Sequence, residues 1–130
     1  MPRKTFTAGE VLAAADVNLY LSNEAVLAAS TATTYSLLPA NRYQTLVFTA
    51  ATAAVTVSIG TATAFLPGER VDILRDGAGT LTITSEGAGI SIAGRGVVGT
   101  AYAIGQRYDA ISVVCVDTNS YRIIGNASAV

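Results

Sequence analysis

Few side chains in this 130-residue sequence could do chemistry, because it has no His and a single Cys, Cys115. Catalytic triads and Cys–His nucleophiles need an imidazole base, and Cys/His zinc sites need several such ligands. Cys115 lies in an apolar run, residues 111–116, which predicts a buried and unreactive thiol. A single Cys also excludes a disulfide within the chain. We therefore expect no enzyme activity, no metal site and no cofactor.

Two further patterns could be read as a nucleotide-binding site and a catalytic carboxylate pair, but each has a simpler structural interpretation. Residues 94–99 match G-x-G-x-x-G, yet a dinucleotide site needs that motif between a strand and a helix, and here both flanks are strand-like. We interpret the motif as a turn. Glu69, Asp72 and Asp76 lie beside Arg70 and Arg75, which predicts surface ion pairs rather than a pair of catalytic carboxylates.

Composition narrows the class of protein and the kinds of partner. Hydrophobic residues make up 51% and charged residues 13%, with a net charge of −1, which indicates one folded domain. The sequence has no basic stripe of the kind that binds nucleic acid and no apolar run long enough for a membrane span. The first residues lack the apolar stretch of a signal peptide, so we expect synthesis in the cytoplasm.

The N-terminal part predicts an arm and a helix. Residues 14–29 are rich in Ala and Leu and lack Gly and Pro, which favours one α-helix. Its apolar side chains fall on two sides of a helical projection, as expected for a helix with two packing partners, although those of the second side could simply be exposed. The sequence therefore predicts an oligomerisation or docking surface made of Val17, Leu19, Tyr20, Leu21, Val26 and Leu27.

From residue 34 the apolar period changes to two, which is typical of strands. Val55, Val57 and Ile59 alternate with Thr56 and Ser58. Further strands are predicted at residues 43–49, 69–75, 80–84, 90–92, 97–104, 108–116 and 121–124. Residues 76–79 look like a hairpin connection, and residues 126–130 like a loose tail. The predicted fold is mainly β: an antiparallel β-sandwich or jelly-roll-like domain of about eight short strands at 34–130, preceded by an arm and helix at 1–33.

Five of the six tyrosines fall in the β part: Tyr35, Tyr43, Tyr102, Tyr108 and Tyr121. Exposed Tyr side chains would suit a sugar-binding face or a subunit interface. Half-buried strand positions are the alternative, and the sequence leaves both open.

Residues 5–21, Thr-Phe-Thr-Ala-Gly-Glu-Val-Leu-Ala-Ala-Ala-Asp-Val-Asn-Leu-Tyr-Leu, resemble the N-terminal stretch of small tail-associated and fibre-like proteins of tailed bacteriophages. Ala13 stands where that family usually has Thr, which weakens a helix cap by about 1 kcal/mol. The β part is similar in style to domains of tail fibres, head fibres and capsid decoration proteins. The resemblance implies a non-catalytic virion protein on the particle exterior, commonly a trimer, whose partners are itself, other tail or capsid proteins and, in a binding-module alternative, a host surface glycan.

Overall fold

The structure, a computed structural model, describes residues 7–9 and 26–130, and this part is built almost entirely of β-strands. The mainly β prediction is confirmed. A single-turn 3-10 helix at Pro39–Asn41 is the helical element of the described residues. The strands are β1 (Val26–Ser30), β2 (Thr34–Ser36), β3 (Gln44–Phe48), β4 (Val55–Ile59), β5 (Arg70–Arg75), β6 (Leu81–Ser85), β7 (Ser91–Gly94), β8 (Val97–Gly99), β9 (Ala101–Ile104), β10 (Ala110–Asp117), β11 (Ser120–Gly125) and β12 (Ala127–Ala129).

The strands form two mixed sheets with a solenoid-like stacking. One sheet has the order β1-β3-β5-β10-β11-β7-β8, and the other has the order β12-β9-β6-β4-β2. The first six strands alternate between the sheets, so that β1/β2, β3/β4 and β5/β6 are three successive rungs. Each rung pairs in parallel with the next in both sheets. The predicted antiparallel sandwich or jelly roll is therefore wrong, because the chain climbs from rung to rung instead of turning back by hairpins.

After the third rung, most pairing becomes antiparallel. Strands β10 and β11 form a hairpin on β5, and β9 lies antiparallel between β6 and β12. The β7–β8 hairpin completes the larger sheet, with β7 parallel to β11. Its turn holds Arg95 and Gly96 at φ 50° and 79°, as the tight two-residue hairpin turns require. The interpretation of the G-x-G-x-x-G motif as a turn is confirmed.

The predicted hairpin at residues 76–79 is instead a corner between the sheets. It carries the chain from β5 to β6 and lies directly on the corner of the preceding rung. A Cβ atom on Gly77 would lie 2.0 Å from the Ala50 carbonyl oxygen, and one on Gly79 would lie 2.0 Å from that of Ala53. The amide of Gly77 donates to the Phe48 carbonyl at 3.0 Å. Glycine is needed here because two backbones meet, not because a strand reverses.

The core lies between the two sheets and follows the predicted alternation of strand β4. Val55, Val57 and Ile59 are buried, whereas Thr56 and Ser58 point outward, half-buried. Facing strands contribute the same kind of side chain from the other sheet, Val71, Ile73, Ile111 and Val113 among them. Cys115 is fully buried in this core, as the sequence predicts.

The predicted helix at residues 14–29 is wrong at its C-terminal end. Residues 26–30 form β1, which pairs in parallel with β3, and residues 14–25 lie outside the described residues. Pairing along the edge of β3 supplies backbone hydrogen bonds that outweigh the modest helix preference of Ala and Leu. The boundary at residue 33 therefore divides β1 from β2 within one fold, and Val26 and Leu27 are strand residues rather than part of a helical surface.

The structure contains two further strands that were not predicted, and it divides one predicted strand. Strand β2 is not among the predicted strands, and the predicted strand at residues 97–104 is divided into β8 and β9. The predicted loose tail contains β12, whose first residue, Ala127, is 1% exposed. Short strands with one or two inward residues leave too little periodicity to be recognised.

Candidate interaction surface

The seven-stranded sheet has an outer face with exposed apolar side chains. Strand pairing places its outward residues in rows that cross the sheet. One row contains Leu27, Thr45, Asp72, Ser112 and Ile124, and the next contains Arg70, Val114, Arg122, Ala93 and Val98. Leu27, Ile124 and Val98 are 70%, 60% and 76% exposed. We call this surface the apolar face.

The five-stranded sheet has an outer face of small and hydroxyl side chains. Its rows contain Thr34, Thr56, Thr82, Ala103 and Ser128, and then Ser36, Ser58, Thr84 and Ala101. These rows include no charged residue and no large apolar residue. We call this surface the hydroxyl face. β-branched hydroxyl residues suit a strand that stays in contact with water.

Charged side chains of the apolar face form hydrogen bonds and an ion pair with residues of their own sheet. Ser112 Oγ donates to Asp72 Oδ1 at 2.6 Å, and Arg70 Nη2 lies 4.0 Å from Asp72 Oδ2. Arg122 Nη1 donates to Ser120 Oγ at 3.2 Å and to the Tyr121 carbonyl at 3.1 Å. An exposed ion pair of this kind contributes little to stability. Burial of the apolar side chains would therefore supply most of the binding energy of this face.

A groove of about 430 Å³ lies at the far edge of the apolar face, between the β7–β8 hairpin and β11. Val97, Val98 and Ile124 give it apolar walls, and Arg95 and Arg122 are the ionisable side chains that line it. Strand β8 ends the sheet, so among the described strands one side of β8 has no neighbour. Such an edge can accept another chain segment.

Tyr102 fixes the shape of this groove from below. Its hydroxyl donates to the Val97 carbonyl at 2.6 Å and accepts from the Gly94 amide at 3.2 Å. A Cβ on Gly94 would lie 2.9 Å from the Ile123 carbonyl oxygen, and one on Gly99 would lie 3.3 Å from the Tyr102 hydroxyl oxygen, so glycine allows the hairpin to pack this closely. The hairpin is therefore held at both strands by one buried side chain.

The structure places only part of the sequence-predicted docking surface. Val17, Leu19, Tyr20 and Leu21 lie outside the described residues. Val26 and Leu27 are in β1, and Leu27 points outward on the apolar face. Val98, Ile124 and Arg122 of this surface were not predicted from the sequence. Ile124 breaks the alternation of β11, because it is apolar and directly follows the inward Ile123. This departure could have predicted an exposed apolar position.

The tyrosines do not form an exposed cluster within the described part of the chain. Tyr102 and Tyr121 are buried at 1% and 0% exposure. Tyr35 packs edge-on against Phe48, with 5.6 Å between ring centroids. Tyr108 is exposed, and the Arg107 guanidinium lies 4.7 Å from the centre of its ring. The arrangement that would favour a sugar-binding face is not formed by these five residues.

The carboxylates form surface contacts, in part with other partners than the sequence suggested. Glu69 Oε2 lies 3.3 Å from Nε of Arg42 rather than pairing with Arg70. Arg75 donates to the carbonyls of Ile104 and Ala78 at 3.2 and 2.9 Å, and so bridges a corner. Among the described residues, no three His, Cys, Asp or Glu side chains lie close enough together to hold a metal ion.

Cys115 and Tyr121 are adjacent cross-strand residues with altered acidity. Desolvation by burial is the main cause that raises the pKa of the Cys115 thiol. Desolvation also raises the pKa of Tyr121, with a smaller contribution from Cys115. Cys115 Sγ lies 3.2 Å from the Phe65 carbonyl oxygen and 3.1 Å from that of Asp117. The thiol is therefore held in its neutral form at ordinary pH, which fits the predicted unreactive Cys.

No protein-family model, curated protein or solved structure matches this chain in the comparisons with known proteins. In the described residues, no helix has the length and hydropathy needed to cross a membrane.

Proposed function

We propose that this chain is a non-enzymatic structural subunit of a tailed-bacteriophage virion. It assembles with copies of itself, as a trimer, on the particle exterior as a tail-associated or fibre-like protein. The apolar face carries the assembly part of this proposal. Val97, Val98 and Ile124 are exposed apolar side chains that lie together at one edge of this face. A contiguous exposed apolar patch marks an interaction site, whereas apolar side chains scattered singly over a surface do not.

The resemblance of residues 5–21 to tail-associated and fibre-like proteins supports the virion part of the proposal. A stack of paired rungs suits a particle subunit, because it presents outer sheet faces of seven and five strands against which neighbours can pack. Association through one face leaves the hydroxyl face in contact with solvent.

The first test is the solution mass of the purified full chain by light scattering after size exclusion. We expect a mass near three times 13.3 kDa at micromolar concentration. A monomer at every concentration would contradict the self-assembly that we propose.

The second test locates the chain on purified phage particles that encode it, by mass spectrometry and then by antibody labelling in electron micrographs. Labelling of the tail is the expected result. Labelling of the head would replace the tail proposal with a capsid decoration or head fibre protein. Absence from the particles, together with binding to bacterial wall glycans, would indicate a carbohydrate-binding module instead.

A further inference from the structure

The groove beside β8 has a composition that selects its occupant. Its apolar walls, Val97, Val98 and Ile124, lie next to two cations, Arg95 and Arg122, and no carboxylate of the described residues lines it. Arg122 is held along its own strand by bonds to Ser120 and Tyr121, so its charge stays at the groove. The occupant should therefore be an apolar segment that carries acidic groups.

The N-terminal sequence contains such a segment. Residues 10–25 include Glu10, Asp16 and Glu24 and no Lys or Arg, and they include five Val and Leu residues: Val11, Leu12, Val17, Leu19 and Leu21. The described residues from 26 onward hold six Arg and six Asp or Glu, so the rest of the fold is balanced. Charge and apolar content both match the groove.

The position of β1 shows where this segment enters the fold. In the seven-stranded sheet, β11 at the near side of the groove is four strand steps from β1, or about 19 Å, and β8 at its far side is six steps away, or about 29 Å. The part of the predicted helix that lies outside the described residues, 14–25, would be about 18 Å long. In that form the segment is too short to cross the sheet and then lie along the groove of its own chain, whereas the groove of a neighbouring copy has no such limit.

We propose that residues 10–25 of one copy bind in the groove of a neighbouring copy. The acidic groups face Arg95 and Arg122, and the Val and Leu side chains pack on Val97, Val98 and Ile124. Each copy donates a segment and accepts one, and a head-to-tail arrangement of this contact can close into a ring such as the proposed trimer. The proposal rests on the self-assembly stated above and names the surfaces that produce it.

The first experiment reverses the groove charges in the full chain. We expect the double variant Arg95→Glu, Arg122→Glu to self-associate about tenfold more weakly by light scattering at low salt. Arg107→Glu is the single-reversal control outside the groove, and we expect it to keep the mass of the unaltered chain. Reversal of Glu10, Asp16 and Glu24 to Lys in the double variant should restore association. An unchanged mass in the double variant, or no restoration, would overturn the proposed docking.

The second experiment identifies the chain that occupies the groove. One chain carries Leu19→Cys and another carries Val98→Cys, and the two are mixed and oxidised. Cys115 is fully buried and should not compete. We expect a disulfide-linked pair of two different chains, and no such pair when Val116→Cys replaces Val98→Cys.

The outcomes separate this inference from the proposed function. An intrachain disulfide in a chain with both substitutions, without a mixed pair, would mean that the segment binds its own groove, and it would overturn the second-copy occupant. An oligomer that forms no cross-link and ignores the charge reversals would overturn the docking but not the assembly. A monomeric unaltered chain would contradict both proposals. Circular dichroism of each variant checks that the β fold is retained.

Discussion

The two outer faces of this molecule are built from the same rungs, yet one exposes large apolar side chains and the other exposes hydroxyls. Strands β4 and β6 give the hydroxyl face Thr56 and Thr82, whereas β1 and β11 give the apolar face Leu27 and Ile124. The backbone does not require this difference, because both sheets bury their inner side chains equally well. The difference therefore lies in the outward side chains alone, and it is what the proposed assembly through the apolar face would require.

The largest expected effect comes from a substitution that disrupts both faces together, because both depend on the stacking of rungs. In Gly77→Ala, the new Cβ would lie 2.0 Å from the Ala50 carbonyl oxygen and would force the corners apart. We expect the free energy of unfolding to fall by about 3 kcal/mol or more, measured by urea unfolding. Ala78→Ser, at an exposed position of the same corner, should change it by less than about 0.5 kcal/mol. Equal effects of the two substitutions would contradict the role of the close approach.

Tyr102→Phe tests the edge of the apolar face. The substitution removes the hydroxyl that holds the Gly94 amide and the Val97 carbonyl, at a cost of about 1–3 kcal/mol. We expect faster amide hydrogen exchange in β7 and β8 and little change in β4 and β6. Tyr43→Phe is the control, since its hydroxyl has only a 3.5 Å contact with the Gly68 carbonyl. Uniform acceleration over both sheets would mean that Tyr102 supports the whole fold rather than the hairpin.

Matched acidic substitutions on the two faces sharpen the comparison directly. Ile124→Asp puts a charge among exposed apolar side chains, and we expect association to weaken about tenfold, by about 1.4 kcal/mol, with the fold retained. Thr82→Asp places the same group on the hydroxyl face and should leave the mass by light scattering unchanged. Loss of the oligomer in Thr82→Asp alone would assign assembly to the other face.

The smallest expected effect is the pH dependence of stability, which arises in the buried interior and not on either face. The pKa values of Cys115 and Tyr121 are raised in the folded chain, mainly by desolvation, so the folded chain retains protons that the unfolded chain loses. This contribution to stability is complete below about pH 8 and is lost as the pH rises through the raised values. We expect the urea midpoint to fall as the pH rises above about 8. In Cys115→Val the fall should begin at higher pH, and an identical curve would contradict the assignment to Cys115.

Much of the fold could be predicted from alternation alone. Val55, Val57 and Ile59 fix strand β4 and its buried face, because a period of two is a local property of the sequence. The sheet to which each strand belongs depends instead on contacts between residues that are distant in the sequence. Residues 76–79 have the composition of a hairpin turn, and only their contact with Ala50 and Ala53 makes them a corner between sheets.

The same limit applies to the ends of the fold and to the candidate surface. Ala and Leu content favoured a helix through residue 29, whereas the free edge of β3 turns residues 26–30 into a strand. The groove needs β7 beside β11, a parallel pairing of Ser91 with Ser120 that no nearby residue signals. The exposed apolar positions could have been predicted from the sequence, since Ile124 departs from the alternation of its strand.

The stacking of rungs also determines how the chain responds to mechanical load. Backbone hydrogen bonds between strands run along the stacking direction. A pull between the two edge strands of either sheet loads the bonds of successive strand pairs in series, so that sheet would peel apart strand by strand. A load across the faces is instead shared by all strands at once. The fold should therefore resist a load applied across its faces better than one applied along the stack.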